Sequence, residues 1–550
     1  MKIALAQYNY HVGNLTSNVA KIKRGILRAK NEGADIVVFS ELSVCGYPPK
    51  DLLLFEGFIK ACEEAVREIA QECKGIAAIV GAPSRNSGKG RPLYNSAFLL
   101  AEGKIMAQVN KSLLPFYDVF DEYRYFEPAG ECRHIKYKGF KIALTVCEDL
   151  WNELPRNDHF YYKQSPLETL VGSDTNCIIN IAASPFSFTQ AEERKKLFKS
   201  ITLKYKRPLF YVNALGANTD IIFDGGSFVM DSTGKIINEL SYFTEDLAIL
   251  ELLPDKTVKP ISAFKEEKPQ EHIALIYNAL VLGIRDYFQK NNLKTAVLGL
   301  SGGIDSALVL ALAAEALGSK NVHALLLPSR YTSIESLRDA AEIATNIGCL
   351  HETISIEPGI TVAYDSLSKV FEGKKPDITE ENIQSRMRSL LLMAMSNKMG
   401  HLLLNTSNKS ELSTGYGTLY GDMSGALSVI GDLYKTQVYG LANYINKIKP
   451  NTIPSNIITR PPTAELKHDQ KDTDSLPEYD ILDKILYQYI ELERSPIDIK
   501  VDGANNELVK KITDMVNRNE YKRLQAPPIL RVSNKAFGVG RKMPIVAKYL

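Results

Sequence analysis

A loop rich in glycine and serine, Ser301-Gly302-Gly303-Ile304-Asp305-Ser306, lies between a predicted strand and a predicted helix. Its two glycines allow backbone conformations that are closed to other residues, and they let a ligand approach the main chain closely. The hydroxyls of Ser301 and Ser306, with the free N–H groups that begin the helix, suit an anion. Asp305 would repel phosphate unless a divalent cation lay between them, so the loop predicts Mg²⁺ held by oxygen ligands. A plain glycine turn with a helix cap is the alternative interpretation.

The complete hexapeptide, placed between strand and helix, favours nucleotide binding over a plain turn. Because it lacks the Gly-Lys-Ser/Thr ending of the Walker loop, ordinary transfer of a γ-phosphoryl group is disfavoured. The loop resembles that of the ATP pyrophosphatase family, whose members adenylate a substrate and bind the released pyrophosphate there. The resemblance implies ATP contacts at consecutive positions: Gly299, Leu300, Ser301, Gly302, Gly303, Ile304, Asp305 and Ser306.

Four segments downstream of the loop resemble the NAD synthetase family: NIQSRMRSLLLMAMSN (382–397), LLLNTSNKSELSTGYGTLYGD (402–422), GDLYKTQVYGLA (431–442) and NEYKRLQAPPILRVSNKAFG (519–538). The resemblance implies further ATP contacts at Thr406 and Lys435. It implies that deamido-NAD is bound by Asn382, Arg386, Glu411 and Lys522, and that Mg²⁺ is held by Asp305 and Glu411. Compact, ammonia-using members have a Lys and an Asp where this chain has Leu419 and Ala426. Taken singly, these positions also fit helix caps or solvated surface charges.

A different chemistry is indicated in the first half of the chain, where Glu41, Lys111 and Cys147 each follow a predicted strand. A thiolate can attack an amide carbon, and a nearby cation lowers the thiol pKa and stabilises the developing oxyanion. A carboxylate can take the thiol proton, give a proton to the leaving ammonia and later activate water. Singly, these residues fit a capping acid, a surface charge and a buried thiol. Together they supply what amide hydrolysis through a thioester requires.

The order and flanking residues of these three positions resemble the nitrilase (carbon-nitrogen hydrolase) superfamily over nearly the whole first domain. The resemblance implies an α-β-β-α sandwich. It implies that Glu41 is the general base, Lys111 the oxyanion stabiliser and Cys147 the nucleophile. It further implies that the backbone N–H of Glu148 completes the oxyanion hole and that Glu122 positions the other groups.

The same resemblance implies that glutamine contacts Tyr117, Ser184 and Gln190, although Gln190 stands where a basic residue is expected. Two other glutaminase types fit less well. An N-terminal-nucleophile enzyme needs Cys directly after Met1, and Lys2 excludes it. A Cys-His-Glu enzyme presents its Cys in a Gly-x-Cys-x-Gly turn, whereas this cysteine stands in Thr-Val-Cys-Glu-Asp.

Length and composition restrict the class of protein. At 550 residues the chain is too long for one core, so we expect at least two domains. The net charge of +2 gives no drive toward nucleic acid or anionic membrane. No apolar run approaches the roughly 20 residues that span a bilayer, and the start MKIALAQYNY is expected to form a buried strand. Seven cysteines, never spaced Cys-x-x-Cys, disfavour disulfides and zinc and favour the cytoplasm.

A charged, proline-rich stretch, PDKTVKPISAFKEEKPQ, predicts a boundary. We expect a first domain at 1–254, a linker at 255–270 and a second domain at 271–550. In the second domain the order strand, loop, helix from Ser306, strand predicts a βαβ unit and a doubly wound parallel sheet, with its ligand at the carboxyl ends of the strands. The polar stretch 466–476 is expected to be a mobile loop.

The two halves together resemble glutamine-dependent NAD synthetases, which are ligases. The resemblance implies that ammonia from glutamine displaces AMP from an adenylate of deamido-NAD. Because free ammonia would be lost or protonated, we expect a sheltered passage between the sites. The resemblance implies a homo-oligomer with an inter-domain ammonia tunnel. Two alternatives stay open. One is an amidotransferase acting on another adenylated carboxylate, and the other is a nitrilase-like hydrolase fused to a nucleotide-sensing domain.

Overall fold

The computed structural model of the chain describes residues 1–155, 161–261, 271–463, 465–467 and 476–548. Its contacts divide the chain into two units, residues 1–269 and 270–550. Residues 262–270 of the expected linker, and most of the loop expected at 466–476, lie outside the described residues.

The first unit is built on two β-sheets. Its described strands are, in chain order, β1 (Lys2–Gln7), β2 (Ile36–Val38), β3 (Ala77–Arg85), β4 (Leu93–Ala101), β5 (Lys104–Asn110), β6 (Ile135–Tyr137), β7 (Phe140–Val146), β8 (Cys177–Ala182), β9 (Leu209–Asn213), β10 (Leu215–Asn218), β11 (Ile221–Asp224), β12 (Phe228–Met230), β13 (Ile236–Glu239), β14 (Asp246–Leu252) and β15 (Val258–Pro260). One sheet has the order β15-β14-β1-β2-β3-β4-β5 and the other β13-β12-β9-β8-β7-β6, while β10 and β11 form a separate pair.

Alternation along the strands explains how the sheets are layered with the helices α1 (Leu15–Asn31), α2 (Glu56–Glu72), α3 (Pro166–Leu170) and α4 (Gln190–Tyr205). In β1, Ile3 and Leu5 point into a core shared with the second sheet. Ala4 and Ala6, on the opposite face, pack in a cluster with apolar residues of α1 and α2. On the second sheet, α4 contributes Phe198 to the buried core. The expected α-β-β-α sandwich is therefore confirmed.

One stretch expected to be irregular is ordered. Val258–Pro260, inside the predicted linker, forms the edge strand β15 and pairs antiparallel with β14. Its prolines and charges predicted a loop, but an edge strand tolerates proline because one side of its backbone needs no partner. The first sheet therefore extends into the stretch that was expected to be a linker.

The second unit contains a parallel sheet. Its described strands are β16 (Ala296–Gly299), β17 (Val322–Leu326), β18 (Leu350–Thr353), β19 (Leu402–Asn405) and β20 (Leu427–Ser428), in the spatial order β18-β17-β16-β19-β20. Its described helices are α5 (His272–Lys290), α6 (Ile304–Leu317), α7 (Ile334–Ile347), α8 (Glu357–Leu367), α9 (Ile378–Met399), α10 (Lys409–Thr414), α11 (Lys435–Ile448), α12 (Ser455–Thr459), α13 (Tyr479–Ile490), α14 (Asn506–Arg518) and α15 (Glu520–Arg523). The expected doubly wound parallel sheet is confirmed.

The strand order creates a crevice beside β16. Because β17 and β19 flank β16 on opposite sides, the connections that follow β16 and β19 diverge at this point, where open α/β sheets bind ligands. Helix α6 begins at Ile304 rather than at the predicted Ser306. The residue before it, Gly303, has an extended backbone. Asp305 therefore lies in the first helical turn. No helix in the described part of the chain is long and apolar enough to cross a membrane.

Candidate active sites

Glu41, Lys111, Glu122 and Cys147 meet in the first unit, because three of them lie just beyond β2, β5 and β7. Lys111 Nζ donates to Glu41 Oε1 at 2.7 Å and to Glu122 Oε1 and Oε2 at 2.7 and 2.9 Å. All four side chains are at least 95% buried. An ammonium buried this deeply needs carboxylate partners, and the two glutamates provide them.

Residues that the sequence analysis did not identify hold the two carboxylates in place. Asn95 Nδ2 donates to Glu41 Oε1 at 2.7 Å and to Glu122 Oε2 at 3.3 Å. The backbone N–H of Ala183 donates to Glu41 Oε2 at 2.9 Å, and Tyr47 OH donates to Glu122 Oε1 at 2.8 Å. The signal for Asn95 was a polar residue inside the apolar strand LYNSAFLLA.

The backbone at Cys147 is held in an unfavourable conformation. Its φ of 43° lies in the left-handed region, which non-glycine residues rarely adopt and which is often found at functional sites. Asp149 stabilises this turn, because its Oδ2 accepts from Val146 N, while its Oδ1 accepts from Ser112 N and Leu113 N, all at 2.9 Å. One buried carboxylate thus ties the cysteine turn to the segment after Lys111.

The charges of the cluster determine its protonation. Burial, reinforced by Glu41, raises the pKa of the Cys147 thiol well above its usual range, against the opposing effect of Lys111. Burial raises the pKa of Glu122 to about 7, again against Lys111. For Lys111 burial favours the neutral amine, yet the two glutamates raise its pKa well above the usual range. At neutral pH the resting site therefore holds a protonated thiol beside an ammonium.

The positions expected to contact glutamine differ in how they relate to this cluster. Tyr117 OH donates to both carboxylate oxygens of Glu148 at 3.0 Å, so it lies beside the residue after the nucleophile. Ser184 follows Ala183, and its N–H donates to Asn213 Oδ1 at 2.9 Å. Gln190 begins α4 and donates its N–H to Ser187 O at 3.1 Å, and no described contact joins it to the cluster.

In the second unit the Ser301–Ser306 loop lines a cavity of about 290 Å³, together with Thr406, Glu411 and Lys435. Gly302 has a φ of +82°, and a Cβ there would lie only 2.2 Å from the backbone oxygen of Ser336. Within the loop, Ser306 Oγ donates to Gly303 O at 3.1 Å. The loop is therefore pressed against the start of α7, where only glycine fits.

Three charged side chains meet at one end of this cavity. Lys435 Nζ lies 2.5 Å from Asp305 Oδ2 and 3.8 Å from Glu411 Oε1. Asn408 Nδ2 donates to Asp305 Oδ1 at 2.9 Å. The structure thus brings together the two expected metal ligands, whose hard oxygens suit Mg²⁺. Among the described residues no group of three or more His, Cys, Asp or Glu could hold a metal ion, so further ligands would have to come from other groups.

The positions expected to contact deamido-NAD surround residues 415–419. Asn382 Oδ1 accepts from Thr418 Oγ1 at 2.8 Å, and Arg386 Nε donates to Leu419 O at 3.2 Å. Lys522 Nζ donates to the carbonyls of Gly415 and Gly417 at 2.8 Å. None of Asn382, Arg386 and Lys522 lines the cavity described above, whereas Arg388, which the sequence analysis did not single out, does.

The chain is similar to known proteins over both units. The chain matches a model of carbon-nitrogen hydrolases over residues 2–258 and a model of NAD synthases over residues 276–526. It is 44% identical to the glutamine-dependent NAD(+) synthetase of Synechocystis sp., over 100% of this chain and 99% of that protein. The corresponding synthetase of Xanthomonas campestris is 41% identical over 100% and 98%.

A solved structure is similar over the same length. The glutamine-dependent NAD+ synthetase of Acinetobacter baumannii, in complex with ADP, is 38% identical, with a TM-score of 0.79 over 99% of this chain and 98% of that chain. These similarities extend over 98% or more of each chain, so they cover both units and the segment that connects them. The chain belongs to the glutamine-dependent NAD(+) synthetase family.

Proposed function

We propose that the chain is a ligase that releases ammonia from glutamine at the Cys147 site and uses it to convert deamido-NAD to NAD at the Ser301–Ser306 cavity. The observation that carries this proposal is that one chain combines two buried sites of matching chemistry. One holds a buried thiol close to a paired carboxylate and ammonium, and the other is a glycine loop at the switch point of a parallel sheet. The names of the relatives support the choice of acceptor.

In the first site, Cys147 Sγ attacks the side-chain amide carbon of glutamine. Because the thiol pKa is raised, the proton must leave as the S–C bond forms, and Glu41 is the base that accepts it. Lys111 and the N–H of Glu148 stabilise the oxyanion. Glu41 then gives the proton to the departing ammonia, and a water molecule activated by Glu41 hydrolyses the thioester to glutamate.

Recognition of glutamine as an amino acid needs charged or polar groups near the nucleophile. The Glu148 carboxylate is 3% exposed and accepts from Tyr117 OH and Tyr162 OH. It is an anion beside Cys147 that suits the α-ammonium of glutamine, with Ser184 as a further polar contact. Gln190 offers no charge for the α-carboxylate, so recognition of that group leans on another residue.

In the second site, a carboxylate oxygen of deamido-NAD attacks the α-phosphorus of ATP, and pyrophosphate leaves. Backbone N–H groups at the start of α6 and the hydroxyls of Ser301 and Ser306 hold the leaving group, and Lys435 and Thr406 contact the phosphates. Ammonia then attacks the acyl carbon, AMP departs with its bonding electron pair, and the nitrogen loses one proton to give the amide. A free carboxylate resists such attack, which explains the need for ATP.

Asp305 and Glu411 fit Mg²⁺, because they are two oxygen-donor side chains at the phosphate-binding end of the cavity. When bound, the ion would offset the negative charge of the phosphates. Lys435 already faces both carboxylates, so these residues can exchange one cationic partner for another. The solved relative in complex with ADP supports the binding of an adenine nucleotide by this chain.

One experiment separates this function from its alternatives. The full chain is incubated with Mg-ATP, deamido-NAD and either glutamine or ammonium, while NAD, AMP and glutamate are measured. Cys147→Ala is expected to lose NAD formation from glutamine and to keep it from ammonium. Cys177→Ala, a buried thiol on the neighbouring strand β8, is the matched control and should keep both. No NAD from either nitrogen source would contradict the proposal, and another adenylated acceptor would then be sought.

We also propose a homo-oligomer. Helices α8 and α9 and the segment between them expose several large apolar side chains: Val362, Val370, Ile378, Leu390 and Met393. Large apolar side chains exposed to water often belong to contact surfaces, and a second copy of the chain is the partner proposed for them. Light scattering should report a multiple of the 61.2 kDa chain mass. The double variant L390E/M393E should lower the mass measured by light scattering. The control K398E, which replaces a polar residue of the same helix, should leave that mass unchanged.

A sheltered passage for ammonia completes the proposal. With ¹⁵N-labelled glutamine and an excess of unlabelled ammonium, sheltered transfer predicts NAD that keeps most of the label. Transfer through bulk solvent predicts label diluted to the isotopic composition of the ammonium pool. Mass spectrometry of the NAD distinguishes the two results.

A further inference from the structure

We infer that Arg388 binds the phosphates of the nucleotide in the Ser301–Ser306 cavity, an inference that rests on the function proposed above. Two arginines of α9 stand close in sequence but differ in environment. Arg386 is exposed and lies outside the cavity lining. Arg388 lines the cavity together with the glycine loop.

One hydrogen bond holds the Arg388 guanidinium at the edge of the sheet. Its Nε donates to Leu327 O at 3.0 Å, and Leu327 directly follows β17, the strand beside β16. The Nη atoms of Arg388 donate to no acceptor in the described part of the chain. The side chain is thus fixed at one end, while its two terminal nitrogens remain available to a ligand.

The charge of Arg388 also lacks a close partner. Arg388 is half-buried, and the fully buried cations Lys111, Lys409 and Arg194 differ from it in having a carboxylate oxygen at 2.7, 2.9 and 2.5 Å. For Arg388 no carboxylate of the described chain forms such a pair. Burial lowers its pKa to about 10, so the group stays charged at neutral pH. Asp422, Glu465 and Glu357 act on this charge without forming an ion pair with it, so the cavity can still attract an anion to the guanidinium.

The other cation at the cavity cannot serve in the same way. Lys435 lies 2.5 Å from Asp305, so its charge is already offset before a ligand arrives. The polyphosphate of ATP is the anion that the proposed reaction brings into this cavity. Arginine suits it, because the planar guanidinium can donate two parallel hydrogen bonds to phosphate oxygens. Arg388 is therefore a direct ligand-contacting residue.

The test compares how ATP and adenosine bind to the full chain. Adenosine has the same base and ribose but no phosphates. Binding is measured by calorimetry for the unaltered chain, Arg388→Gln, Arg388→Lys and the control Lys398→Gln, an exposed cation on the same helix. Arg388→Gln is expected to weaken ATP binding about tenfold or more and to change adenosine binding less than about twofold. Arg388→Lys should recover part of the loss, and Lys398→Gln should match the unaltered chain.

Two results would overturn the inference. ATP binding that is unchanged in Arg388→Gln excludes a phosphate contact. Equal weakening of ATP and adenosine indicates a contact with the base or a general structural effect. Release of glutamate from glutamine reports on the first unit and should stay within about twofold in every variant. If the chain bound ATP through Arg388 but formed no NAD, the proposed function would fail and this inference would stand.

Discussion

The ammonium of Lys435 lies 2.5 Å from the carboxylate of Asp305, a residue 130 positions earlier in the chain. The sequence analysis left a negative charge, Asp305, beside a loop suited to phosphate. The fold resolves this conflict, because α11 begins with Lys435 at the place where α6 begins with its acidic first turn. Glu411 lies 3.8 Å from the same nitrogen. Lys435, Asp305 and Glu411 therefore already interact at this end of the cavity before a ligand binds.

The first prediction concerns Mg²⁺. Asp305→Asn or Glu411→Gln removes one hard oxygen ligand, so the Mg²⁺ concentration for half-maximal NAD formation from ammonium should rise at least about tenfold. Glu342→Gln, an exposed acid on α7, is the control and should leave it unchanged. A Mg²⁺ titration of AMP release measures this. An unaltered titration in both site variants would remove these residues from the list of metal ligands.

The second prediction concerns Gly302. An alanine Cβ there would lie 2.2 Å from Ser336 O, and the φ of +82° adds strain, so Gly302→Ala should displace the loop. We expect KM for ATP to rise at least about tenfold while glutamate release is unchanged. Gly373→Ala isolates the strain, because Gly373 has a φ of +75° with nothing within 4 Å of its Cβ position. It should cost about 1 kcal/mol of stability and leave KM for ATP unaltered. Equal effects of the two substitutions would mean that strain, not close contact, matters at Gly302.

The third prediction concerns pH. The pKa of Glu122 is raised to about 7 from its ordinary 4.5. As pH falls through about 7 the carboxyl takes up a proton and loses its charge-assisted bonds to Lys111. Glutamate release should then decline about tenfold per pH unit below this value. Glu122→Gln should lower the maximal rate and abolish this acid limb. A limb that persists in Glu122→Gln would have to belong to another group.

The fourth prediction concerns Asn213, which belongs to a series of buried contacts that support the first site. Ser184 N–H donates to Asn213 Oδ1, Asn213 Nδ2 donates to Asp224 Oδ1 at 3.1 Å, and Asp224 forms a buried ion pair with Arg194. Asn213→Ala leaves the Ser184 N–H without its acceptor beside Ala183, which donates to Glu41. We expect kcat/KM for glutamine to fall about tenfold or more, with NAD formation from ammonium preserved.

The matched control for this prediction is Asn238→Ala, a buried amide on β13 of the same sheet. It should leave both activities within about twofold. If Asn213→Ala also impaired the use of ammonium, a general loss of folding would explain the result better than positioning.

Much of the fold was predictable because it depends on local patterns. Runs of β-branched residues indicated β1, β2 and β7, and the strand–loop–helix order indicated the parallel sheet. The order of Glu41, Lys111 and Cys147 just after strands indicated one shared site, since strand ends can converge. The strand Val258–Pro260 was not predicted, because proline locally indicates a loop. The edge of a sheet nevertheless accepts proline.

The sequence by itself determined the chemical classes at both sites and the family, since these depend on residue types in a fixed order. Only the tertiary structure decided which charged and polar groups lie close enough to interact. Asn95 bridges two glutamates, Asp149 joins two segments, and Arg388 forms no ion pair with a carboxylate among the described residues. The sequence does not show which groups are the partners in these relations. The physical reason is that electrostatic energy depends on distances of a few ångströms and on burial. Both are set by packing between residues far apart in the chain.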